Sequence, residues 1–87
     1  RERLLMNLKT GTVVKSLKGR DKDKYFCVVC IEDGYVYLCD GKERKLSNPK
    51  RKKIKHIKVT QAKLQTETLQ VDKHINKAIK SLNIVEE

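Results

Sequence analysis

The chemistry this sequence is equipped for is that of concentrated positive charge. Between Lys42 and Lys58 it places nine Lys and Arg against one acid, so 17 residues hold +8 of a formal net charge of +10. The densest part is Lys50-Arg51-Lys52-Lys53, with Lys42, Arg44, Lys45 and Lys55 around it. Ammonium and guanidinium groups neutralise phosphates and release the counterions condensed on them, so a cluster of this kind is the footprint of a polyanion binder. It exceeds what solubility requires.

Tyr35 and Tyr37 add a second ingredient. Two residues apart on a strand, they share a face, and exposed aromatics on a sheet can stack bases for about 1–3 kcal/mol each. Basic charge interleaved with aromatics favours single-stranded or looped RNA over a duplex, whose readout needs an element that enters a groove. No recognition helix is visible. Duplex DNA is therefore the third-ranked ligand, behind RNA and behind a protein partner.

Other chemistries find no support. There is no Gly-rich phosphate loop, no H-E-x-x-H and no G-x-S-x-G, so neither catalysis nor a cofactor is expected. Cys27 and Cys30 have C-x-x-C spacing, but on a continuous strand an odd separation puts them on opposite faces. With Cys39 as the only other thiol and no suitably placed histidine, no metal site is expected and the cysteines read as packing residues. His56 and His74 read as a sheet-edge and a helix-surface residue. An odd number of cysteines without extracellular context suits reduced thiols in a cytoplasm. No window approaches the 18 or so apolar residues of a membrane span, so no membrane partner is expected.

These side chains need a scaffold, and 87 residues allow one modest domain. Gly11 to Lys18 reads as a strand in which only one of Val13 and Val14 can be fully inside unless a bulge intervenes. A polar loop, Gly19 to Lys24, leads to Tyr25–Ile31, which is apolar at both parities and should be the central strand, covered on both faces. Asp33-Gly34 supplies the two positive φ values of a type I′ hairpin. Tyr35–Cys39 alternates, with Val36 and Leu38 on one face, and Asp40-Gly41 ends it. A short strand is expected around Arg44–Leu46, a loop at Ser47-Asn48-Pro49, and a last strand over Lys53–Val59.

The tail changes period. Ile75, Ala78, Ile79 and Leu82 form one apolar stripe at helical spacing, and Asp72 is placed to cap that helix. Thr60 to Val71 could be helical or an extended wrap. The fold class is mainly β: a small SH3-like barrel of about five short strands, residues 10–60, with a C-terminal α-helix in residues 61–87 and an extension in residues 1–9. Met6 is a candidate natural start, which would make Arg1 to Leu5 an added or upstream segment.

The pattern Gly11-Thr-Val-Val-x-Ser-x-x-Gly-Arg-Asp-Lys-x-Lys, continued by Val28-Val29, Asp33-Gly34 and Asp40-Gly41, resembles the KOW motif. Residues 10 to about 60 look most like the short bacterial KOW-domain RNA-binding proteins related to a group of archaeal and eukaryotic large-subunit ribosomal proteins. The resemblance implies that this motif forms the first hairpin of an SH3-like barrel and that loops at one end contact RNA. Lys18, Arg20, Lys22 and Lys24 would then occupy the first RNA-facing loop. The loop departs from the family at Asp23, where a second glycine is common.

Together these readings lead to an expectation of an RNA-binding module of the cytoplasm that works with ribosomal or other structured RNA. Phosphates would be clamped by the basic segment and the first loop, with Tyr35 and Tyr37 as a stacking platform. The runner-up is a protein-interaction barrel of the transcription or translation machinery that docks a partner through its C-terminal helix.

Overall fold

The computed structural model describes residues 8–82; the reading of Met6 as a start lies outside them. Five strands form one antiparallel sheet: β1 (Thr12–Ser16), β2 (Tyr25–Glu32), β3 (Tyr35–Cys39), β4 (Lys50–Lys53) and β5 (Ile57–Lys63), in the order β4-β3-β2-β1-β5. The helix α1 (Asp72–Ser81) follows a 3-10 turn at Thr66–Gln70.

The order of the strands explains why the sheet closes. β4 and β5 lie at opposite edges, yet only the 3-10 turn Ile54–His56 joins them. Three residues at a rise of roughly 2 Å each reach about 6 Å, so the two edges must meet at that corner. The sheet therefore curls into a small SH3-like barrel.

Both faces of the sheet are covered, and this sets the core. Inside lie Val14, Phe26, Val28, Val36, Leu38, Ile57 and Val59, with Leu8 and Ile54 packed against them. On the outer side, Val13, Cys27, Cys39, Leu64 and Ile75 form a second cluster that Ala78, Ile79 and Leu82 extend. The apolar stripe of α1 is thus spent on its own domain. It also explains why Val13 and Val14, on opposite faces, are both fully buried; one was expected unless a bulge intervened, and the β1–β5 register does shift between Thr12 and Val14.

The central strand is β2, as expected, but it is covered on both faces only through Val28. A register shift between Val28 and Cys30 bulges the strand at Val29, and beyond it Cys30 and Ile31 are exposed. The hairpin after it has φ 45° at Asp33 and 80° at Gly34, the two left-handed residues a type I′ turn requires.

Downstream, three expectations are corrected. Arg44–Leu46 is no strand, because the Asp40 carboxylate accepts the Lys42 and Arg44 amides, both at 2.9 Å, and gathers the segment into a turn. The single last strand is two: Lys50–Lys53 pairs with β3 and Ile57–Lys63 with β1, which also carries the barrel three residues past the expected boundary. Asp72 does not cap α1; its Oδ1 accepts the Leu46 amide at 2.7 Å and ties that turn to the helix. From Lys63 the chain runs into the 3-10 turn, so 60–71 is neither a full helix nor a full wrap.

The first turn of α1 rests directly on Gly41. That residue has φ 76°, and a Cβ there would overlap the Asp72 carbonyl oxygen and sit 2.8 Å from the Asn76 nitrogen. Asn76 Nδ2 also donates to the Asp40 carbonyl at 3.2 Å. Among the described residues no helix is long and apolar enough to cross a membrane.

Gly41→Ala should therefore lower stability by about 2 kcal/mol, roughly 10 °C in melting temperature for a domain of this size. Gly34→Ala is the control: its φ is 80°, but nothing lies within 4 Å of the added methyl. Thermal melts that show equal losses for the two would contradict the close approach of α1.

Candidate nucleic-acid interface

The four basic residues of β4 do not form one surface. Cross-strand partners share a face, and the register pairs Lys50 with Leu38 and Lys52 with Val36, both on the inner side. Arg51 pairs with Tyr37 and Lys53 with Tyr35, on the outer side. Alternation along a single edge strand thus divides the run into two inward and two outward cations.

Lys52 turns inward completely. It is 9% exposed, and its ammonium donates to Ser16 Oγ at 2.6 Å, to the Lys18 carbonyl at 2.7 Å and to Asp21 Oδ1 at 2.7 Å. An ammonium has three hydrogens, so all are engaged. Ser16 donates in turn to Asp21 Oδ1 at 2.8 Å. The expectation that Lys52 contacts phosphate is corrected here: it has no donor to offer and is a structural pin between β4 and the first loop. Burial alone would push the Asp21 carboxyl up, but the hydrogen bonds from Lys52 and Ser16 and the charges of Lys52 and Lys50 outweigh it and hold it below the ordinary carboxylate value.

Beside this node opens a cleft of about 490 Å³. It gathers Arg20 and Lys24 from the first loop, Arg44 from the turn after β3, and Lys50 from β4, with Phe26 on its wall. Four cations singled out from the sequence thus converge although they span 31 positions of chain. Asp21, Asp40 and Glu43 line it too, and Lys24 Nζ bridges the first loop to the turn with a 3.5 Å ion pair to Glu43. Both partners of that pair are more than half exposed, so it is worth little and opens easily.

The first loop is shaped by two left-handed residues. Gly19 has φ 88° and Asp23 has φ 71°, both in the left-handed region that favours glycine. Aspartate is among the few side chains that adopt it readily.

On the outer face of β3 and β4, Tyr35 and Tyr37 are half-buried beside the exposed Arg51 and Lys53. The Arg51 guanidinium lies 3.9 Å from the Tyr35 ring centroid, a cation–π contact that orients it and covers that ring. Lys18 and Lys22 are exposed on the first loop, Lys42 and Lys45 on the turn after β3, and Lys55 on the 3-10 turn.

His56 ends that 3-10 turn at the corner where the sheet closes, and its carbonyl accepts the Leu17 amide at 2.9 Å. Desolvation of the ring, then the charges of Lys18, Lys55, Lys53 and Lys52, hold it below the ordinary histidine value. His74 is exposed on α1, as expected.

Cys27 and Cys39 face each other across β2 and β3 under α1, and both are free thiols. Burial, then the neighbouring Cys39, pushes Cys27 up to about 12; burial, then Asp72 and Asp40, pushes Cys39 up to about 11. Thiols of this kind stay protonated and unreactive. The bulge at Val29 changes the expected geometry: Cys30 pairs with Tyr37 and so shares the outer face with Cys27 instead of opposing it.

No protein-family model matches this chain, and no curated protein matches it.

Sequence reasoning missed Ser16, Asp21, Phe26, Asp40 and Glu43. Asp21 sits in a lysine-rich loop 31 positions from Lys52, and only the folded contact between the two, at 2.7 Å, shows that it receives that ammonium.

Asp21 gives the pair a pH signature. Its folded pKa is depressed, so its contribution is complete above the ordinary carboxylate range and is lost as pH falls through the lowered value. Asp21→Asn should cost roughly 2 kcal/mol at pH 7, a modest value for breaking a buried ion pair. It should also remove part of the stability loss seen on acidification. Urea melts at pH 7 and pH 3 check both; a variant that loses stability on acidification as steeply as the parent would overturn the assignment.

Proposed function

We propose that this barrel binds RNA, holding phosphates with the cleft cations Arg20, Lys24, Arg44 and Lys50 and with Arg51 and Lys53 on the outer face of the same edge strand. The observation that carries this reading is the convergence on one cleft of cations from three separate segments. A charge run that served only solubility would have no reason to meet there.

Tyr37 is the better stacking partner of the two tyrosines, since Arg51 covers Tyr35. The left-handed conformations of Gly19 and Asp23 agree with the KOW-like reading of the first loop, and with it a role beside ribosomal or other structured RNA of the translation machinery in the cytoplasm. The adaptor reading draws less support, because the apolar stripe of α1 that would dock a partner is packed into the second core cluster.

Replacing Arg20, Arg44, Arg51 and Lys53 together with Ala should leave the melting temperature within a few degrees. It should reduce the slope of log affinity against log salt by about 3 for single-stranded RNA, at about 0.7 per phosphate contact. Fluorescence anisotropy with single-stranded RNA, structured RNA and duplex DNA at several salt concentrations measures this. Unchanged affinity, or no RNA binding at low salt, would refute the proposal.

A further inference from the structure

The cleft has a composition that phosphate binding alone does not explain. Alongside its four cations it carries three carboxylates, Asp21, Asp40 and Glu43. A site for the RNA backbone has no use for acceptors that repel it, whereas a site for a nucleotide needs cations for the phosphate and acceptors for the base edge.

The three carboxylates are not equivalent. Asp21 is committed to Lys52 and Ser16. Asp40 Oδ1 already accepts two backbone amides of its own turn. Among the described residues, Glu43 is held by the exposed 3.5 Å pair with Lys24 alone, and it lines the cleft. A phosphate arriving at Lys24 competes for that ammonium and releases Glu43, so binding of the anion frees the acceptor.

We infer that the cleft takes a single unpaired guanine nucleotide of an RNA strand, its phosphate on the Arg20, Lys24, Arg44 and Lys50 cations and its base edge read by Glu43. Guanine is the base that matches a carboxylate fork, because its Watson–Crick edge presents two adjacent donors, the N1–H and the N2 amino group. Uracil presents a lone N3–H flanked by carbonyls that a carboxylate repels. The size of the opening, about 490 Å³, suits one nucleotide and not a duplex.

This inference rests on the RNA-binding reading, and one experiment separates the two. Anisotropy at low salt compares the full chain on an all-uridine oligonucleotide with the same oligonucleotide carrying one central G, A or C. The G-containing strand should bind about tenfold tighter than the all-uridine strand, the discrimination of one good bidentate contact. Glu43→Gln should abolish that preference, the G-containing and all-uridine strands then binding the variant equally. Equal affinity for all four strands, or a guanine preference that survives in Glu43→Gln, overturns the nucleotide site and leaves RNA binding standing. No binding to any strand overturns both.

Discussion

The rest of the structure depends on one buried ammonium. Lys52 reaches from an edge strand into the barrel and spends its three hydrogens on Ser16, the Lys18 carbonyl and Asp21. Taking a charge out of water costs several kcal/mol, and only a complete set of partners offsets it. Those partners come from the end of β1 and the first loop, so satisfying Lys52 also fixes that loop against β4. The cleft lies between the loop, β4 and the turn after β3, and its shape follows from this single tie. A lysine that looks like one more phosphate contact is therefore the reason the cations of the cleft have a common place.

Strand periodicity then sorts the remaining charge. Lys50 stays at the cleft, while Arg51 and Lys53 point outward beside Tyr35 and Tyr37. The same edge strand thus serves the core, the cleft and the aromatic face. Gathering cations in this way raises their mutual repulsion, and at the buried node the fold answers it locally by setting Asp21 against Lys52. On the opposite side, α1 seals the outer face of the sheet and is seated by Gly41, Asp72 and Asn76 on the turn that presents Arg44.

Where apolar periodicity or turn chemistry carried the signal, the sequence was legible. Tyr25–Ile31 read correctly as the central strand through Val28, Asp33-Gly34 as a type I′ hairpin, and Ile75, Ala78, Ile79 and Leu82 as one helical stripe. Lys50–Lys53 could not be read as a strand because it contains no apolar residue to set a period; its pairing with β3 places it. The bulge at Val29 was equally invisible, since a run apolar at both parities hides a change of face, and that concealed the shared side of Cys27 and Cys30. Most cations of the site were named from composition. Which of them is structural was not, because burial of Lys52 depends on Asp21, 31 positions away.

The central claim is that two lysines on one strand face, two residues apart, have opposite roles. The most direct test replaces each with Met, so that the two variants lose the same charge and keep a similar volume, and measures thermal stability and RNA affinity for both. Lys52→Met should lose roughly 2 kcal/mol of stability as Asp21 is left without its partner. Lys50→Met should keep the parent melting temperature within a few degrees, bind RNA more weakly, and show a salt slope smaller by about 0.7. Equal stability in the two variants, or a stability loss confined to Lys50→Met, would contradict the account.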